Sequence, residues 1–174
     1  MGSDATTLLV TTSIPTLDLK REILEHAQRA LKKTLAEAKA RAEDAREAAT
    51  HEENRPENDK DMRSTEASYI ARGMAERIAD MERGLSKLTA LELRSFEDGK
   101  PIAVSALVTL EHDGAQTHYL LVAEPGGLSM EVRGVKYATL ATTSPLGRAL
   151  LGQSEGDEVS AGPKAHLYEV VQVR

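Results

Sequence analysis

The chain has 174 residues, a formal net charge of −6 and no cysteine. Its length suits one ordinary domain or two small ones. The acidic balance argues against DNA as the main partner, because phosphate backbones are held by a surplus of Lys and Arg, and the missing cysteines exclude a disulfide framework and a thiolate zinc site. No apolar run approaches the roughly 20 residues that span a bilayer. Residues 1–16, read as an N-terminal extension, hold Leu8, Leu9 and Val10 without a basic leader, so no membrane role and a cytoplasmic location are expected. Aromatic residues are only 3% of the chain, too few for a large compact core, which points to thin, elongated helix.

In chain order, the spacing predicts a helix from about Thr16, just after Pro15. Leu17, Leu24, Leu31, Ala38 and Ala45 share one heptad position, and Gln28, Leu35, Ala42 and Ala49 share a second, the pattern of a coiled-coil seam. The polar segment 50–61, which contains Pro56, interrupts it. A second helix follows through Ala67, Ala71, Met74, Ile78, Met81, Leu85 and Leu88. Large residues open the first seam and close the second. Folding the helices back on one another therefore matches large with large at the base and small with small near the turn, which predicts an antiparallel hairpin over 17–95. From Leu17 to Ala49 such a finger is roughly 50 Å long at 1.5 Å per residue. The seam is satisfied within one chain, so a monomer is expected.

From about residue 96 to 174 alternation and β-branched residues take over. Ile102–Leu110 and Thr117–Ala123 read as a hairpin about Asp113-Gly114. Pro125-Gly126-Gly127 breaks the chain, and Val135–Thr142 and Leu167–Val173 read as further strands. Between these, Ser144-Pro145-Leu146-Gly147-Arg148-Ala149-Leu150-Leu151-Gly152 reads as a short helix with Ser144 as N-cap, Pro145 at the first position and Gly152 past the end. The expected class is α+β, a helical hairpin followed by a small β domain with one short helix. Asp98-Gly99 gives a plausible hinge between them. The five histidines show no metal spacing, and His112 and His118, which flank a hairpin, are expected to be solvated.

The segment Ser144–Gly152 closely resembles a signature of the C-terminal domain of the GreA/GreB transcription elongation factors. Gly156-Asp157-Glu158-Val159 and Tyr168-Glu169-Val170-Val171 resemble the closing strands of that family. The resemblance covers roughly residues 17–174. It implies an antiparallel coiled-coil finger followed by an FKBP-like domain that binds RNA polymerase, with Ser144 and Pro145 as candidate contacts. It also implies that the finger enters the polymerase's secondary channel and that its tip meets the 3′ end of the nascent RNA only indirectly. The family's tip motif, Asp-x-Ser-Glu-Asn, is met here by Asn54-Arg55-Pro56-Glu57-Asn58. Glu57 and Asn58 match, Asn54 stands in place of Asp, and Pro56 in place of Ser.

On this resemblance Glu57, Asn54 and Glu53 assist the polymerase's own reaction, and Glu57 and Asp59 share its Mg²⁺. That ion takes oxygen ligands and needs only one or two added carboxylates. No cofactor intrinsic to the chain and no independent enzyme activity are expected. The same residues have a plainer role, since Asn54 followed by Glu57 resembles a helix capping box. The functions this leaves open are a factor that stimulates transcript cleavage in backtracked complexes and a homologue that inhibits or retunes polymerase. A coiled-coil adaptor and a prolyl isomerase using Phe96, Tyr119, Tyr137 and Tyr168 rank behind them.

Overall fold

In a computed structural model the described residues are 16–52, 60–96 and 99–174. Two long helices, α1 (Thr16–Glu52) and α2 (Lys60–Thr89), run antiparallel. Gln28 Nε2 donates to the Leu88 carbonyl at 3.0 Å, and further out Lys39 Nζ meets Glu82 Oε1 at 2.6 Å, so advancing along α1 means retreating along α2. The predicted seam holds at the base, where Leu24, Leu31, Leu35 and Leu88 are buried. Each buried leucine contributes about 1.5–3 kcal/mol.

The seam differs from expectation at both ends. Leu17 is 37% exposed. Burial near the foot of α1 falls instead on Lys20, Ile23 and Ala27, because there the helix also packs against the β domain. Outward, Ala38 and Ala42 are half-buried, while Ala45, Ala67 and Ala71 are exposed. Two helices joined by methyl groups leave each other largely open to water.

The β domain is one six-stranded mixed sheet with the order β3-β4-β2-β1-β6-β5. Its strands are β1 (Leu107–His112), β2 (Ala115–Val122), β3 (Ser129–Val132), β4 (Val135–Ala141), β5 (Glu158–Ala161) and β6 (His166–Val173), with α3 (Pro145–Leu150) between β4 and β5. Only β2 and β4 pair in parallel. The Asp113-Gly114 turn joins β1 to β2 with His112 opposite Ala115, and both turn residues have positive φ, 50° and 75°, as the favoured two-residue hairpin loop requires. Arg133-Gly134 makes the corresponding turn between β3 and β4, with φ of 55° and 77°.

Ile102–Leu110 is a strand only from Leu107 onward. Before it the chain turns, with the Ala106 amide bonded to the Ala103 carbonyl and Ser105 at φ 74°. That conformation is incompatible with a strand.

The sheet has two apolar faces. Leu107, Leu120, Val122 and Val132 join Ile23, Leu24, Ala27, Leu31 and Leu88 of the hairpin in one cluster. Val108, Leu110, Leu121, Val159 and Val170 form a second cluster with Phe96, Ile102 and Leu150. The foot of the finger is thus part of the sheet's own core. Arg133 adds to this union by donating through Nε and Nη2 to Glu22 Oε2, 2.8 Å each, and Lys87 Nζ lies 3.0 Å from Glu124 Oε2. Among the described residues no helix is long and apolar enough to cross a membrane.

Candidate functional site

The tip residues Glu53, Asn54, Glu57 and Asp59 lie outside the described residues, as does Asp98 of the expected hinge. What can be built from the residues upward is the Ser144–Gly152 segment and the joint that aims the finger.

Ser144 has extended backbone, φ −70° and ψ 158°, and its Oγ accepts from the Gly147 amide at 3.0 Å. This is the N-cap geometry that satisfies a free helix-end donor. The same hydroxyl donates to the Ala141 carbonyl at 2.7 Å. Its hydrogen-bonding capacity is therefore largely spent inside the fold, and the residue shapes the segment. Pro145 follows at the first helical position and is exposed. Gly147 is buried because the turn presses onto Ala141, whose carbonyl oxygen would lie 2.1 Å from an added Cβ. Leu150 seats the helix in the second cluster, and Gly152, at φ 82°, ends it.

The outer surface of this segment consists of Pro145, Arg148 and Leu151. The Arg148 guanidinium donates to the Thr143 carbonyl at 2.7 Å, and Leu151 is 40% exposed. Leu151 was not singled out from the sequence. Its signal was the second of two adjacent leucines, of which a short helix can bury one.

Lys20 sits at the joint. It is 0% exposed, and its Nζ donates to the Arg94 carbonyl at 2.7 Å while lying 4.6 Å from the centre of the Phe96 ring. Arg94 is itself held, its amide by Ser105 Oγ at 3.1 Å and its Nη2 by the Val104 carbonyl at 3.0 Å. The segment leading from α2 into the sheet is thereby tied to both halves.

Burial, and secondarily the nearby Arg94 guanidinium, lowers the Lys20 pKa from 10.5 to about 8. The unfolded chain therefore binds this proton more tightly than the folded one. The cost of burying the charge is felt in full below about pH 8, and it is relieved as pH rises from 8 to 10.5. Stability is expected to rise across that window by up to about 3 kcal/mol, at about 1.4 kcal/mol for each tenfold difference in proton affinity, and Lys20→Met should flatten the rise. Urea unfolding at several pH values checks it; parallel profiles for the two proteins would refute it.

The histidines are less solvated than expected. His118 is half-buried, its Nδ1 2.9 Å from Thr109 Oγ1, and burial followed by the Arg174 charge lowers its pKa. His112 Nδ1 lies 2.7 Å from the Leu167 carbonyl. Phe96 is buried in the second core cluster, and Tyr119 and Tyr168, partly buried, pack against it.

No protein-family model matches the chain. Over 102 residues, 56% of its length, the chain is 31% identical to the transcription elongation factor GreA of Hyphomonas neptunium, of which the match covers 60%. It is 34% identical over 101 residues to GreA of Xanthomonas axonopodis pv. citri, again covering 56% of this chain and 60% of that protein. The chain spans about 60% of the length of these curated relatives. Among solved structures, the GreA factor homolog 1 (Gfh1) of Thermus thermophilus is 22% identical with a TM-score of 0.35, covering 84% of this chain and 94% of that one. Thermus aquaticus Gfh1 is 23% identical with a TM-score of 0.36, covering 86% and 95%. At such scores the overall superposition carries no weight of its own.

Proposed function

We propose, from a sequence likeness that supports a GreA/GreB-family factor, that the chain is a transcription elongation factor that binds RNA polymerase and reaches its active centre with the helical hairpin. The observation that carries this reading is the 31–34% identity to proteins named transcription elongation factor GreA. The fold is consistent with it. A hairpin whose foot is built into the sheet's core is a stiff lever, and a β domain offering Pro145, Arg148 and Leu151 on one short helix and its C-cap has a surface for docking the lever's base.

The chain supplies no complete active site in this reading. Glu53, Glu57 and Asp59 bring carboxylate oxygens and Asn54 an amide oxygen to the tip, a donor set suited to Mg²⁺. The ion itself would be the polymerase's, and the tip residues would bind and orient around it. A two-metal centre clamps both the attacking and the leaving oxygen of a phosphodiester, so an added carboxylate acts by holding an ion or a water that the polymerase already positions.

Asn54 favours a second outcome at the same place. It keeps an oxygen ligand but removes one negative charge where the resembled motif has Asp. A finger that occupies the channel with a weakened tip would inhibit polymerase instead of stimulating cleavage.

Stalled complexes carrying labelled RNA test both. Stimulated cleavage is expected to fall about tenfold or more in Glu57→Ala, as for loss of a transition-state contact of about 1.4 kcal/mol, and to rise in Asn54→Asp. Binding without release of any 3′ fragment by wild type, with fragment release gained in Asn54→Asp, would select the inhibitor. Failure to bind polymerase at all would defeat both.

A further inference from the structure

The finger carries an apolar patch that its own fold does not use. Tyr69 and Ile70 on α2 are 70% and 52% exposed, and Tyr69 is the most exposed large hydrophobic side chain among the described residues. Neither belongs to the seam, whose positions on this part of α2 are Ala67, Ala71 and Met74. Gly73 lies four residues after Tyr69 and three after Ile70, the spacings that place residues on one face of a helix. Nothing stands within 4 Å of a Cβ added at Gly73. Tyr69 and Ile70 thus flank a shallow dip floored by backbone. Arg72, Glu76 and Arg77, all exposed, border it with charge.

Helix stability does not account for these residues. At exposed helix positions intrinsic propensity decides, and Tyr, Ile and Gly are all weaker helix formers than the Ala, Glu, Lys and Arg around them. Burial does not offset that weakness, because both side chains face water. An apolar centre with a charged rim has the make-up of a binding surface, and tyrosine is among the residue types enriched at binding hot spots.

The patch's place on the finger decides what covers it. Tyr69 lies nine residues along α2 from Lys60, about 14 Å, and Leu88 in the sheet's core lies nineteen residues further, about 28 Å. The chain's own β domain is therefore too far away to cover it. On the functional reading above, on which this inference rests, the end of the hairpin reaches the polymerase's active centre. A level so close behind that end then lies inside the polymerase channel. A second copy paired at the same level would thicken the finger and bar its entry.

We propose that Tyr69, Ile70 and Gly73 form the finger's anchor on the wall of the polymerase channel, with an apolar side chain of that wall seated in the dip at Gly73 and a polar group beside it bonded to the Tyr69 hydroxyl. The tip residues then act on the reaction, and the patch holds the finger at the depth they need.

Equilibrium binding of the full chain to RNA polymerase, measured beside urea unfolding of the free protein, tests the anchor. Tyr69→Ala is expected to bind at least about tenfold more weakly, as for a hot-spot tyrosine, and Tyr69→Phe to recover most of the loss. Ile70→Ala should weaken binding as well. Both side chains are exposed and Ala is the better helix former, so the urea midpoint should stay level or rise in both alanine variants. A purely structural role does not give weaker binding together with an unchanged or raised midpoint. Wild-type affinity in Tyr69→Ala would overturn the anchor while leaving polymerase binding intact. A midpoint that falls in step with affinity would overturn it by placing both residues in the fold. A wild-type dimer in light scattering that Tyr69→Ala makes monomeric would assign the patch to a second copy and overturn it equally. If wild type does not bind polymerase at all, the functional reading falls first and the anchor with it.

Discussion

Gly147→Ala is expected to destabilise the protein by about 3 kcal/mol, at the upper end of the usual cost of overpacking, read as a lower urea midpoint with unchanged slope. The added Cβ would stand 2.1 Å from the Ala141 carbonyl oxygen, 2.9 Å from its carbon and 3.0 Å from Ser144 Oγ. The first two are backbone atoms at the end of β4 and cannot swing aside. Relieving the clash moves the Gly147 amide, which also loosens its bond to the Ser144 cap, worth about 1 kcal/mol. Gly73 is the internal contrast. It lies within α2 with nothing within 4 Å of an added Cβ, so Gly73→Ala should stabilise by about 1 kcal/mol. No loss in Gly147→Ala would show that the close approach at Ala141 is not what fixes Gly147, and a loss in Gly73→Ala would show that open space around an added Cβ is not enough to predict the sign.

This pair also shows what was legible in the sequence and what was not. Ser144, Pro145 and Gly152 could be assigned as cap, first turn and helix end, because each role is local and depends on a few neighbouring dihedral angles. The need for glycine at 147 depends on where β4 ends in space, and no local pattern carries that. The hairpin was legible because a heptad repeat records which face is buried. Its failure at Leu17, and the unforeseen burial of Lys20 and Ile23, arise because α1 meets a second neighbour at its foot. β3 was missed since four residues give too short a run for alternation to register, although Arg133-Gly134 beside Val132 and Val135 was a usable turn signal. The meeting of His112 with the Leu167 carbonyl was invisible for the reason that sheet order is not sequence order: β6 lies beside β1 although four strands and a helix intervene along the chain. At the tip the residue types of Glu53, Asn54, Glu57 and Asp59 are plain, and their role is for the cleavage assay to decide.

Leu88→Ala is expected to cost about 2–5 kcal/mol, as for other leucines truncated in a closed core. More informative is how the loss is distributed. Leu88 lies on α2 and is 0% exposed, in one cluster with Leu24 and Leu31 of α1 and with Leu107, Leu120 and Val122 of the sheet. The cavity therefore opens where finger and sheet share their interior. If that shared core makes them one cooperative unit, helix loss followed by far-ultraviolet circular dichroism and sheet loss followed by tyrosine fluorescence should shift by the same amount. The probes are well separated, since Tyr119, Tyr137 and Tyr168 lie in the sheet and only Tyr69 lies on the finger. A helical transition that moves to lower urea while the tyrosine transition stays at the wild-type midpoint would mean that the finger melts alone. A lever of that kind could not transmit the position of its base to its tip, so coincident transitions are also what a finger aimed by the β domain requires.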